Sequence, residues 1–382
     1  MARTERSQQG SKEPHPRAAS EAKEGPAAYL PFSADLGRHS RWIRIAVLIG
    51  GLAFALLFVF ADLQELWKTM AGADLRLLAL PLLSVACSYL TMARSYQGIA
   101  AAAGHPLPFW EMLKITFVAN TSNYLISTGG LSGFAVRLYF FTRRAVPSNV
   151  ALIISLVQTF MTNVTLLGFV IVGFVYLFFT HDMHGAALVV TGILLVLFVS
   201  LAVIASLLLM HARLRRRTLF LLAQAVHWLL HRFWPHRAPA RTHIWRYQFS
   251  LNRGIAFLLS RKREMVAPLA YIALDWLFTL LILHTSFVAL RYPVPLSQVV
   301  VAFAVGMVAS FASLIPGGLG VMEGSMAAIF AGFGVPYETA VLASLLFRIA
   351  YYVLPLLVSL FFLHGMFVAG RQAGRELQQG DS

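Results

Sequence analysis

Residues 314–323 read Leu314-Ile315-Pro316-Gly317-Gly318-Leu319-Gly320-Val321-Met322-Glu323. The stretch interrupts an apolar run that extends from 296 to 333. One Pro and three Gly within eight residues break a helix, by a missing N–H and by conformational freedom. In lipid, each backbone group left unpaired costs several kcal/mol. A broken segment therefore survives only buried in protein or lining a cavity. Glu323, three residues past the last glycine, is then a charge at membrane depth that needs a partner or a ligand.

The rest of the chain supports a membrane setting. Of 382 residues, 58% are hydrophobic and 12% are charged, and the mean hydropathy is +0.70. Soluble domains carry roughly twice that charge. Six further runs are long enough to span at ~1.5 Å per residue: 42–60, 77–97, 151–179, 186–210, 266–290 and 337–364. Residues 1–40 and 367–382 read as polar cytoplasmic tails, leaving 41–366 as one transmembrane domain. The single Cys87 provides neither a disulfide nor a metal site.

Net charge is +15, and 12 of the 31 Lys and Arg fall within 211–265, where Glu264 is the one acid. In a membrane protein this is a cytoplasmic loop obeying the positive-inside rule, not a nucleic-acid site. Ile244-Trp245-Arg246-Tyr247 suits contact with an anionic inner leaflet, or a packing elbow under the bundle.

A second broken region, 111–142, carries Glu111, Lys114, Asn120, Asn123 and the pair Gly129-Gly130. If 111–126 crossed fully, Arg143, Arg144 and the basic loop would lie outside, against the charge rule. A re-entrant hairpin places every basic cluster, and both termini, in the cytoplasm. The stretch Leu125-Ile126-Ser127-Thr128-Gly129-Gly130-Leu131-Ser132-Gly133 parallels 314–320. The expected fold is thus an all-α, multi-pass membrane bundle with about six full spans. Two opposed glycine-rich hairpins complete it as an inverted repeat, with the transport site near the midplane; charge parity equally allows 296–315 in the second one to cross fully.

Deep ionisable residues are Arg94, Arg137, Asp275, Glu323 and Arg348. Arg137 and Glu323, each after a glycine turn, serve either a ligand or an internal ion pair. Asp275 and Arg348 either neutralise one another or join the site, and Arg94 suits a snorkelling helix end. A helix resuming after a glycine turn points free N–H groups and a positive dipole end at an anion. The phosphate of a phospholipid fits that chemistry. Expected site residues are Asn120, Gly129, Gly130, Arg137, Asp275, Pro316, Gly317, Gly318, Gly320, Glu323 and Arg348. His181, Asp182 and His184, or His227 and His231, are weak metal candidates, so no metal or cofactor is expected. The chain lacks a Walker loop, a dinucleotide fingerprint and a nucleophile elbow.

The block from Pro316 to Glu323 with Arg348 beyond it resembles the lysylphosphatidylglycerol synthase transmembrane family, and Asn120, Gly129, Gly130, Gly133 and Arg137 resemble its first block. The resemblance covers roughly 41–364. Met322 departs from it, since many members carry a basic residue there. It implies translocation of a lipid head group, anionic, aminoacylated or polyprenyl-type, across the cell (inner) membrane. The aminoacyl transferase activity is not implied, because the sequence to Ser382 lacks the family's large soluble domain. The alternative is a membrane subunit that recruits or presents lipid to a separate synthase or glycosyltransferase. Partnership with a lipid-modifying enzyme and homo-oligomerisation both stay open.

Overall fold

The structure is a computed structural model that describes residues 62–125, 131–180, 259–313 and 315–362, with scattered positions between 192 and 257. Expectations for the tails 1–40 and 367–382, the span 42–60, the Gly129-Gly130 turn, the metal candidates and most of the basic loop lie outside those residues. The span 186–210 is described only at isolated positions.

All regular elements among the described residues are helices. They are α1 Leu63–Ala71, α2 Ala79–Ala102, α3 Phe109–Leu125, α4 Leu131–Thr142, α5 Ser148–Thr180, α6 Val266–Ala289, α7 Leu296–Ser313, α8 Val321–Gly332 and α9 Tyr337–Arg348. A π turn, Ile349–Val353, continues α9 as one helical segment, Tyr337–Phe362. Val150–Val175, Val266–Ala289 and Tyr337–Phe362 are long and apolar enough to cross a membrane. This is an all-α polytopic membrane protein.

The helix α1 was not foreseen. Asp62 caps it by accepting from the N–H groups of Gln64 and Glu65, and Glu65 sits in its first turn, where the helix dipole favours an acid. Its Leu66 packs toward the core while Trp67 and Met70 stay exposed.

One order of elements occurs twice. A 24-residue helix, α2, precedes the 17-residue α3, the 12-residue α4 and the long α5. The 24-residue α6 precedes the 18-residue α7, the 12-residue α8 and the segment begun by α9. At ~1.5 Å per residue, α4 and α8 reach only about 18 Å, short of the ~30 Å hydrocarbon core. In each half the two short helices pack on one another, and α2 packs along α6 as the central pair. The turn after α7 touches α3, so the broken regions of the two halves meet.

Glycines permit these close approaches. A Cβ on Gly133 would overlap the carbonyl oxygen of Ala119 and lie 2.5 Å from Asn123 Nδ2. The Gly133 N–H donates to Asn123 Oδ1 at 2.7 Å, which locks α4 to α3. Where the start of α3 meets the end of α4, Glu111 holds both Lys114, at 3.0 Å, and Arg144.

Candidate functional site

The second glycine turn is built around positive φ. Gly317, Gly318 and Gly320 have φ of 60°, 61° and 78°. A side chain there costs roughly 1–2 kcal/mol at each position. Pro316–Gly318 forms a single 3-10 turn, and α8 starts at Val321. The expected N-terminal anion site of α8 is filled from within: Glu323 Oε2 accepts the Gly320 N–H at 2.8 Å. A carboxylate in a first turn also meets the positive end of the helix.

Arg348 closes this arrangement from α9. Its guanidinium forms an ion pair with Glu323 and donates to the carbonyls of Gly317, at 3.0 Å, and Gly318, at 3.5 Å. It lies 4.5 Å from the centre of the Tyr352 ring. The Tyr352 hydroxyl in turn donates to Met322 Sδ at 3.6 Å. Glu323 and Arg348 are thus partners of each other. The pairing of Arg348 with Asp275, one of the two readings open from sequence, does not form.

Asp275 instead accepts from the Ser88 hydroxyl at 2.6 Å, across the contact of α6 with α2. It is 4% exposed. Arg137 on α4 is 6% exposed and lies 5.4 Å from the centre of the Tyr96 ring. Its Nε is buried without a hydrogen-bond partner, and no carboxylate among the described residues pairs with it. Tyr96 stands within electrostatic range of both Arg137 and Asp275. Asn120 is half-buried on α3 beside Tyr89, which also lies near Asp275, Tyr351 and Tyr352. Arg94, eight residues before the end of α2, donates to Gln97 Oε1 at 2.9 Å and covers the Phe109 ring.

The expected residues thus separate into two groups. Pro316, Gly317, Gly318, Gly320, Glu323 and Arg348 form one cluster, while Arg137 and Asp275 flank Tyr96. Gly129 and Gly130 lie outside the described residues. Ser88, Tyr89, Ser95 and Tyr96 were missed. Ser95 donates to Gln158 Oε1 at 2.8 Å, tying α2 to α5. Their signal is the stripe Ser84, Ser88, Ser95 and Tyr96 at helical spacing in an otherwise apolar helix. Such a stripe faces the bundle interior.

The sequence model of the family described as "Lysylphosphatidylglycerol synthase TM region" matches residues 42–359. A UPF0104 membrane protein of Pyrococcus horikoshii is 20% identical over 82% of this chain and 94% of its own length. A second UPF0104 membrane protein, from Methanothermobacter thermautotrophicus, is 29% identical over 28% of this chain and 31% of its own length. A phosphatidylglycerol lysyltransferase of Staphylococcus haemolyticus is 31% identical over 86 residues, 22% of this chain and 10% of that protein. The chain belongs to the lysylphosphatidylglycerol synthase TM region family.

Proposed function

Starting from that membership, we propose that the chain carries a lipid head group between the leaflets of the cell membrane, with Arg137 receiving the lipid phosphate. The observation that carries this reading is the unmatched charge of Arg137. Arg348 and Glu323 satisfy each other, and Asp275 has a hydroxyl donor. Arg137, among the described residues, has no carboxylate partner; its Nε is unpartnered and its guanidinium lies over the Tyr96 ring. A charge at the bilayer centre costs at least ~2.5 kcal/mol by insertion scales, so an unpaired guanidinium there is retained for an anion. Guanidinium N–H groups match phosphate oxygens in geometry and charge.

In this reading the short pairs α3–α4 and α7–α8 are hairpins dipping in from opposite faces, with both termini cytoplasmic. Asn120 and Asp275 line the path between the two hairpins. Pro316, Gly317, Gly318, Gly320, Glu323 and Arg348 hold the second turn as one braced unit. Acyl chains stay in lipid while access alternates between faces, and no covalent bond changes.

The test is leaflet exchange in liposomes with fluorescent lipids of anionic or zwitterionic head group, followed by external quenching. Losing a charge-assisted hydrogen bond of ~1.5–3 kcal/mol should slow anionic exchange roughly 10- to 100-fold in Arg137→Ala. Anionic exchange at the wild-type rate in that variant would overturn the proposal. The match to a phosphatidylglycerol lysyltransferase favours a second reading, presentation of lipid to a separate enzyme. A chain that exchanges no lipid but co-purifies with a stoichiometric enzyme would establish it.

A further inference from the structure

Asp275 is the tenth residue of α6, about 14 Å along the helix from Val266. One hydroxyl, Ser88 Oγ, serves it, and no Lys, Arg or His stands within ion-pair distance among the described residues. The groups facing it come from each element packed on α6. From α2 these are Tyr89 and Tyr96; Arg94 of that helix is engaged by Gln97 and Phe109. Neither α5 nor α7 contains an Asp, Glu, Lys, Arg or His. From α9, Arg348 is held by Glu323, and Glu338 accepts the Asp62 N–H. The π turn contributes Tyr351 and Tyr352, which stand near Tyr89. On α6 itself, His284 lies nine residues away.

Asp275 and Arg137 therefore share one intermediary, Tyr96, and among the described residues no other charged side chain pairs with either. Charge balance then restricts which states can cross. Empty, the site holds the Arg137 cation and the Asp275 carboxylate and sums to zero. With a phosphate monoanion alone it sums to minus one, and with a proton alone to plus one. With both ligands it returns to zero. A net charge in a low-dielectric interior is heavily penalised, so the two neutral states are the ones that reorient.

Resting on the lipid-translocation reading, we infer that Asp275 is a proton-binding site coupled to the phosphate site at Arg137. One proton moves with one anionic head group, in the same direction. The proton enters the carboxylate from the aqueous side that delivers the lipid and leaves to the other side. Binding of either ligand strengthens the other by the same factor, because coupling is reciprocal. Transport is electroneutral, so a pH gradient drives it and a membrane potential does not.

The test uses the full chain in liposomes with fluorescently labelled phosphatidylglycerol and an entrapped pH dye, beside protein-free vesicles. An acid exterior, lower by ~1 pH unit, should sustain up to a ~10-fold inner-to-outer ratio of the anionic probe. Lipid entry should be matched by acidification of the lumen. A potassium–valinomycin potential at equal pH should produce no accumulation. In Asp275→Asn the ratio of rates with and without the pH gradient falls to about one, and Asp275→Glu restores it. Should Asp275→Asn fail to fold, the wild-type lumen signal decides alone. Accumulation driven by potential and not by pH, with exchange still dependent on Arg137, would sink the proton site and spare the translocation reading. Absence of any Arg137-dependent exchange would remove both.

Discussion

Removing Glu323 should destabilise the chain more than removing Arg348, and removing both should cost less than the two losses added. The Glu323 side chain is 1% exposed and that of Arg348 is 10% exposed, so neither charge is rescued by water. Glu323→Ala leaves Arg348 buried without its counter-charge, a loss of roughly 3–5 kcal/mol. It also strips the acceptor from the Gly320 N–H, worth about 1 kcal/mol as a cap. Arg348→Ala is milder, at roughly 2–4 kcal/mol, because Glu323 keeps the Gly320 N–H and the α8 dipole. In the double variant neither charge is stranded, so the two losses should fall short of their sum by ~1–3 kcal/mol. Glu323→Gln, whose amide oxygen still accepts from Gly320, should lie between wild type and Glu323→Ala. Equilibrium unfolding by SDS titration in mixed micelles, read by helical circular dichroism, gives all four values. Strict additivity, or equal losses for Glu323→Gln and Glu323→Ala, would refute the reasoning.

Gly133→Ala should cost roughly 1–3 kcal/mol in the same titration, since its methyl overlaps Ala119 and Asn123 in the locked α3–α4 contact. Gly168→Ala on α5, with open space around the added carbon, should be neutral or stabilising by up to ~1 kcal/mol. Glu111→Gln loosens the clasp on Arg144 and Lys114. With Glu111 31% exposed, the effect should stay near 1 kcal/mol and shrink in high salt, measured by titrating at two ionic strengths.

Features carried along one stretch of chain were legible in the sequence. The helix break at Pro316-Gly317-Gly318 shows in the residue types, because consecutive positive-φ positions admit little but glycine. The long apolar helices α5, α6 and the α9 segment follow from run length. The ordering of Glu323 just after the last glycine also announced a charge at a helix start. Partner choice was not legible. Arg348 meets Glu323 and Asp275 meets Ser88 through contacts between helices, and periodicity within a helix says nothing about which helix lies beside it. The run 77–97 was legible as a span from its length, but its serines and tyrosines were not legible as the interior wall they form. The helix α1 was passed over because it is short and lies between apolar runs, although Asp62 and Glu65 carry its start signal.

The central claim is that the Arg137 guanidinium meets a lipid phosphate, and magnetic resonance measures that contact directly. The chain would be labelled with carbon-13 at arginine Cζ and reconstituted in phosphatidylglycerol. Carbon–phosphorus dipolar dephasing would then be recorded for wild type and for Arg137→Lys, and the two signals subtracted. A charge-assisted N–H···O contact of ~2.8 Å places Cζ and phosphorus roughly 4–5 Å apart, so the difference signal should dephase at that distance. A difference signal with no dephasing, in a sample that still exchanges anionic lipid between leaflets, would contradict the account.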